Sequence, residues 1–173
     1  EPRSVWVPAF AGMSGRETVT LDGRVQAGRD IPRSALAASL ACVSGGPGRL
    51  RGDRLDRLID RLAASEPFTA TLSGARIVAG PGAVEIGRDV GEAARGGLAA
   101  IPLEPGRPAV WDGRFEVEAD RQGLTIAALR GHAGALTALE RQALKAVPAW
   151  ARPALPVVLG AGTPTSPVLA PRS

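Results

Sequence analysis

Apolar residues recur along this chain at two different periods, and the change from one to the other divides it. From residue 34 to about residue 63 the spacing is helical. "ALAASLACV" places Leu36, Leu40 and Val43 at i, i+4 and i+7, with Ser34 ahead of it as a candidate N-cap. Ser44-Gly45-Gly46-Pro47-Gly48 ends that helix, because glycine accepts the left-handed C-cap conformation and proline prevents continuation. "RLDRLIDRLAAS" predicts a second helix, capped by Asp53. Leu55, Leu58, Ile59 and Leu62 form its apolar stripe, and Arg54, Arg57 and Arg61 lie opposite. Asp53 and Arg57 make an i, i+4 pair of favourable polarity. Two helices joined by a Gly/Pro turn predict an αα-hairpin.

After Pro67 the period becomes two. In "ATLSGARIVAGPGAVEIGRD", Ala75 and Ile77 are expected to pair with Val84 and Ile86 across Gly80-Pro81-Gly82. Residues 90–100 are small and Gly-rich and predict a loop. Asp112-Gly113 is a hairpin signal, followed by inward Phe115, Val117 and Ala119, then a strand with Leu124 and Ile126. A helix over 137–147 should turn Leu139, Ala143, Leu144 and Val147 inward and stop at Pro148, with a last strand at 155–159. Residues 18–30 alternate weakly around Val19, Leu21 and Val25, as a hairpin or an extended linker.

The fold class this predicts is α+β: a helical hairpin, then a small antiparallel β-sheet domain with a C-terminal helix. Residues 18–67 form the linker and hairpin, and 68–160 the β/α domain. Residues 161–173 are expected to be a disordered tail. The leader, residues 1–17, has no clear period, and its "WVPAFAGMS" is similar to a translated intergenic palindromic repeat often met as "WVPAFAGMT". It is expected to be poorly ordered.

Composition narrows the chemistry. The 173 residues suit one domain or two small ones, and 45% hydrophobic with 22% charged residues argues against wholesale disorder. Three Trp, three Phe and no Tyr argue against a base-stacking surface for single-stranded nucleic acid, which needs several exposed aromatics. Twenty Arg and one Lys give a net charge of +4, which fits both GC-rich coding and a polyanionic partner. A lone cysteine, Cys42, excludes an internal disulfide and a cysteine-based zinc site, and reads as a packed helix residue. No run of eighteen apolar residues suggests a membrane span, nor does the start read as a secretory signal, so a cytoplasmic location is expected.

Candidate chemistry is sparse. "CVSGGPGRLRG" starts like the Ser-Gly-Gly-x-Asp-Ser phosphate loop of PP-loop ATP pyrophosphatases. Such a loop must follow a buried strand and open a helix; here a helical pattern precedes it and Gly48-Arg49 replaces Asp-Ser. A single histidine, His132, cannot build a triad or a histidine metal cluster. Glu116 and Glu118, with Asp112 or Asp120, could in principle pair as acids, but they read as a solvated strand face. No catalytic or metal-binding residue is assigned. The basic run Arg49, Arg51, Arg54, Arg57 and Arg61 is the candidate nucleic-acid-binding set, reading phosphates rather than sequence. Asp53, Asp56 and Asp60 interleave with it, which is also how a solvated helix face looks.

The order of the segments is more specific than any one of them. "ALAASLACVSGG", "GDRLDRLIDRLAA", "ATLSGARIV", "IPLEPGRPAVWDGRFEVEA", "GLTIAAL" and "ERQALKAVPAWARPALPVVL" together resemble the C-terminal region of alphaproteobacterial tRNA(Ile)-lysidine synthetase, over roughly residues 30–160. The resemblance implies a tRNA-processing ligase that adenylates an anticodon cytidine with ATP and attaches lysine there. Its PP-loop, with ATP and Mg, is expected in an N-terminal domain outside this sequence. No cofactor is therefore expected in this chain, and the chain alone should be inactive as a ligase. The resemblance implies an RNA-binding role, holding and orienting tRNA; weak, phosphate-driven contact is expected from the charge run alone. Other expected partners are the enzyme's own PP-loop domain or a second copy of the chain. The rival reading is a protein-interaction or structural module without nucleic-acid binding.

Overall fold

The computed structural model describes residues 3–5, 17–46, 50 and 52–169. The first strand, β1 (Arg3–Val5), belongs to the second of two compact units; these are Pro8–Asp89, and Glu1–Val7 with Val90–Ser173. The division falls after Asp89, not at the 67/68 boundary where the hydrophobic period changes. Strands 68–88 could not form a separate domain, because they carry the apolar face on which the helical hairpin rests.

In the first unit β2 (Thr18–Val19) and β3 (Val25–Gly28) form a hairpin, so the 18–30 segment is a hairpin and not a linker. Helix α1 (Arg33–Ser44) and helix α2 (Gly52–Ala63) follow. Then β4 (Phe68–Leu72), β5 (Ala75–Ala79) and β6 (Ala83–Arg88) run as a meander. The last strand returns beside β3, giving an antiparallel sheet of order β2-β3-β6-β5-β4. Ile77 pairs with Ile86 as expected, but Ala75 lies opposite Arg88, and it is Ala79 that faces Val84 across the turn.

The period of two puts Val25, Ala27, Ala75, Ile77, Ala79, Val84 and Ile86 on one face, all buried. Leu36, Leu40 and Val43 of α1 and Leu55, Leu58 and Leu62 of α2 complete that core. Each fully buried leucine contributes about 2 kcal/mol of hydrophobic stabilisation. Ser34 does not cap α1: the helix starts at Arg33 with Pro32 at the N-cap and no side-chain cap bond, since proline's fixed φ already suits the entry. Its other end is as expected, with Gly45 left-handed at φ 78°. Asp53 lies within the first turn of α2, where its charge favours the helix N-terminus.

The second unit starts with a 3-10 turn, Val90–Arg95, where a loop was expected. It contains two three-stranded antiparallel sheets. One joins β1, β8 (Ala109–Trp111) and β9 (Phe115–Glu118); the other joins β7 (Ile101–Leu103), β10 (Leu124–Ala128) and β11 (Pro156–Leu159). Asp112 and Gly113 turn the β8–β9 hairpin with φ of 51° and 64°, the left-handed pair that such a turn requires. Trp111, Phe115 and Val117 from one sheet share a core with Leu103, Leu124, Ile126 and Val158 from the other. The opposite side of β10–β11 packs Ala127, Leu129 and Val157 against Leu136, Leu144, Val147 and Leu155. Both faces of this sheet are buried, hence the continuous apolar runs "TIAAL" and "PVVL" in place of alternation.

Helix α3 spans only Ala138–Leu144, and two of its predicted core residues face out: Leu139 is 71% exposed and Ala143 is exposed. The residue that turns inward is Glu140, 2% exposed. Its carboxylate accepts from the Thr137 N–H and hydroxyl at 3.0 and 2.7 Å, closing a capping box, and from the Ser166 N–H at 2.7 Å. Ser166 in turn donates its hydroxyl to the Pro156 carbonyl at 2.8 Å, and Leu169 is buried. The expected disordered tail is therefore packed as far as residue 169. Residues 6–16 of the leader lie outside the described residues.

Removing the Glu140 carboxylate strands the buried Ser166 N–H, which costs about 1–3 kcal/mol, and opens the partly buried capping box at Thr137. Glu140→Ala should lower the urea midpoint and speed amide exchange at Thr137 and Ser166. Unchanged protection at both amides would refute the clasp.

Candidate nucleic-acid interface

The charged side of α2 follows from its apolar stripe. At 100° per residue, burying Leu55, Leu58 and Leu62 leaves Arg54, Arg57 and Arg61 within an arc of about 60° on one flank. Asp53 and Asp60 fall nearly opposite the leucines and Asp56 beyond them, with Asp53 next to Arg57. The arginines thus form one edge of a charge-segregated helix, not a band spread across its outer face. All six charged side chains belong to exposed residues.

Each arginine is held differently. Arg57 pairs with Asp53 at 2.6 Å, in the expected i, i+4 register, with both side chains more than 60% exposed. Arg54 makes no hydrogen bond or ion pair among the described residues, so its charge faces solvent. Arg61 lies over the Phe68 ring, 4.0 Å from its centroid. On the acidic flank, Arg33 of α1 reaches Asp56 at 3.0 Å and offsets that carboxylate. Arg49 and Arg51 lie outside the described residues.

Two residues that sequence reasoning missed organise the C-terminal end of α2. Arg29 donates to the Leu62 carbonyl at 2.9 Å, the Arg61 carbonyl at 3.0 Å and the Gly80 carbonyl at 2.7 Å. A cation at the negative end of a helix that also bonds its orphan carbonyls reinforces the left-handed Ser65, whose N–H reaches the Leu62 carbonyl at 3.3 Å. Phe68, the first residue of β4, lies 5.7 Å from the Arg29 guanidinium. Arg29 sits in a stretch without period and Phe68 at a strand end, so no local pattern exposes their meeting.

The other candidates remain apart. Ser44 closes α1, its hydroxyl donating to Ala41 and Gly46 carbonyls, and Gly45 N–H bonds the Cys42 carbonyl. These residues occupy a helix C-terminus, where the dipole repels phosphate, so they do not fit a nucleotide. Asp112 is buried against Arg114 at 2.7 Å. Arg114 also bonds the Ala154 carbonyl at 2.9 Å and lies 4.8 Å from the Phe115 ring centroid, a structural role. Among the described residues no His, Cys, Asp and Glu group could hold a metal, and no helix is long and apolar enough to cross a membrane.

The geometry defines an α+β protein whose most prominent polar feature is a basic helix edge. Over 137 residues the chain is 51% identical to the tRNA(Ile)-lysidine synthase of Caulobacter vibrioides, covering 79% of this chain and 33% of that protein. The chain is thus homologous to part of a tRNA(Ile)-lysidine synthase, in agreement with the resemblance read from its segments. It spans about a third of the length of the curated relative it matches. No protein-family profile and no solved structure matches it.

The two arginines beside α2 should differ in cost. Arg29→Met leaves three carbonyls without their charged donor and should destabilise by about 1–3 kcal/mol. Arg33→Ala loses only an exposed pair and should cost under about 1 kcal/mol. Equal urea midpoints for the two variants would contradict the capping role of Arg29.

Proposed function

We propose that this chain serves tRNA modification as the non-catalytic, tRNA-positioning part of a tRNA(Ile)-lysidine synthase. The observation that carries the reading is the 51% identity to such a synthase over 137 residues. The basic edge of α2 supplies the physical means. Arg54 presents an unneutralised cation, Arg57 shares its charge only with an exposed carboxylate, and Arg61 carries no ion pair among the described residues. Arg49 and Arg51, just ahead of α2 in sequence, add to the same charge run. Guanidinium forks on one flank meet successive phosphate oxygens without reading bases, which gives affinity and register. ATP, Mg and the ligase chemistry belong in this reading to the PP-loop domain of the enzyme, and the chain's partner is tRNA in the cytoplasm.

The rival reading, docking on a partner protein through the Leu/Ile stripes, draws less support. Leu55, Leu58 and Leu62 are at most 5% exposed and already spent on the unit's own core. Ile59 remains half-buried against the same core.

The test is filter binding of tRNA across a salt series. Affinity should fall steeply with salt, and replacing Arg54, Arg57 and Arg61 together by Gln should flatten the log–log slope by about 2–3. Affinity that is absent, or indifferent to salt and to the triple replacement, would overturn the reading.

A further inference from the structure

In the first unit Phe68 is the sole aromatic ring among the described residues, and it is partly buried against the core at the start of the edge strand β4. Arg29, at 5.7 Å from that ring, is fixed by three carbonyl bonds and cannot swing away without undoing the end of α2. Arg61 lies over the ring at 4.0 Å, yet its N–H groups make no hydrogen bond or ion pair among the described residues. A planar cation laid on an aromatic ring is already oriented; its donors and its second face remain available. Arg57 and Arg54 follow on the same flank, one turn and two turns back.

From this geometry, and resting on the tRNA-positioning reading above, we infer that Arg61 and Phe68 form a stacking seat for one unpaired nucleotide. Arg57 and Arg54 take the neighbouring phosphates. A base lies against the guanidinium–ring stack through its π-face, which every base possesses, so the seat selects an unstacked nucleotide and not a sequence. In duplex RNA the bases are stacked on one another and unavailable, so the seat separates loops, bulges and ends from helical stems. A charge-only phosphate site would need no ring beneath one of its arginines. A carboxylate on a protein partner would use the donors of Arg61 but not its face.

The experiment uses the full chain with two RNAs of equal charge. One is a blunt duplex, and the other a hairpin carrying in its loop a fluorescent adenine analogue whose emission falls on stacking. The unsubstituted chain should bind the hairpin more tightly and quench the analogue. Phe68→Leu and Arg61→Lys should lose about tenfold in hairpin affinity together with the quench, while duplex affinity stays within about twofold. Phe68→Trp should keep both, and guards against reading a folding defect as lost stacking. Arg61→Lys serves the same end, because it keeps the charge and lies outside the core. Salt-dependent RNA binding with no quench, or with hairpin affinity unchanged in Phe68→Leu and Arg61→Lys, overturns the stacking seat alone. If neither RNA is bound by the unsubstituted chain, the tRNA-positioning reading fails and the seat with it.

Discussion

The pairing of β3 with β6 is the constraint on which the first unit depends. It joins residues 25–28 to residues 83–86 and so closes a loop that contains both helices and two further strands. Without it the sheet has no central pair, and the apolar stripes of α1 and α2 have no continuous surface to cover. Closing so long a loop costs only a little more entropy than closing a short one, but it must precede the burial that offsets it. A buried polar cluster guards the register beside it. Arg24 bonds Asp22 at 2.8 Å and Glu85 at 3.0 Å, while Gln26 donates to the same Glu85 oxygen at 2.9 Å. A slip of one residue would break this cluster and turn Val25 and Ile86 to the opposite face.

That closure also decides which way the charges of α2 look. The helix edge rich in arginine is a by-product of where Leu55, Leu58 and Leu62 must go. Arg29, arriving from the end of β3, then clamps the last turn of α2 and brings Phe68 alongside. Core and candidate interface are in this sense one arrangement: what buries the leucines also groups the guanidinium groups.

Elements with a strong local period were legible in the sequence. The two-sided pattern of "RLDRLIDRLAAS" located α2 to within about two residues at each end, and the glycine turns located both the β5–β6 and β8–β9 hairpins. What escaped was non-local. Short alternating strands do not announce their partners, so no local signal marks the return of β6 to β3, and the change of period at Pro67 falls inside one sheet. In α3 the apolar residues Leu139 and Ala143 suggested an inward face, but Thr137 and Glu140 at capping-box spacing were the better signal. The charge run from Arg49 to Arg61 was visible as letters, and its division into a basic and an acidic flank follows from the helical wheel. The contribution of Arg29 and Phe68 was not visible, because they meet only through the sheet.

The Glu140 clasp bears on where this chain tolerates alteration. A carboxylate inside the second unit is satisfied by an amide 26 residues further on, so the stretch beyond β11 is a structural member and not an appendage. Val158 and Thr165 exchange backbone bonds across the intervening turn, which carries Gly160, Gly162 and Thr163 on the outside. Insertions of foreign sequence belong at that exposed turn tip. A protease cut or a truncation there would part the sheet from the amide that satisfies the buried Glu140 carboxylate.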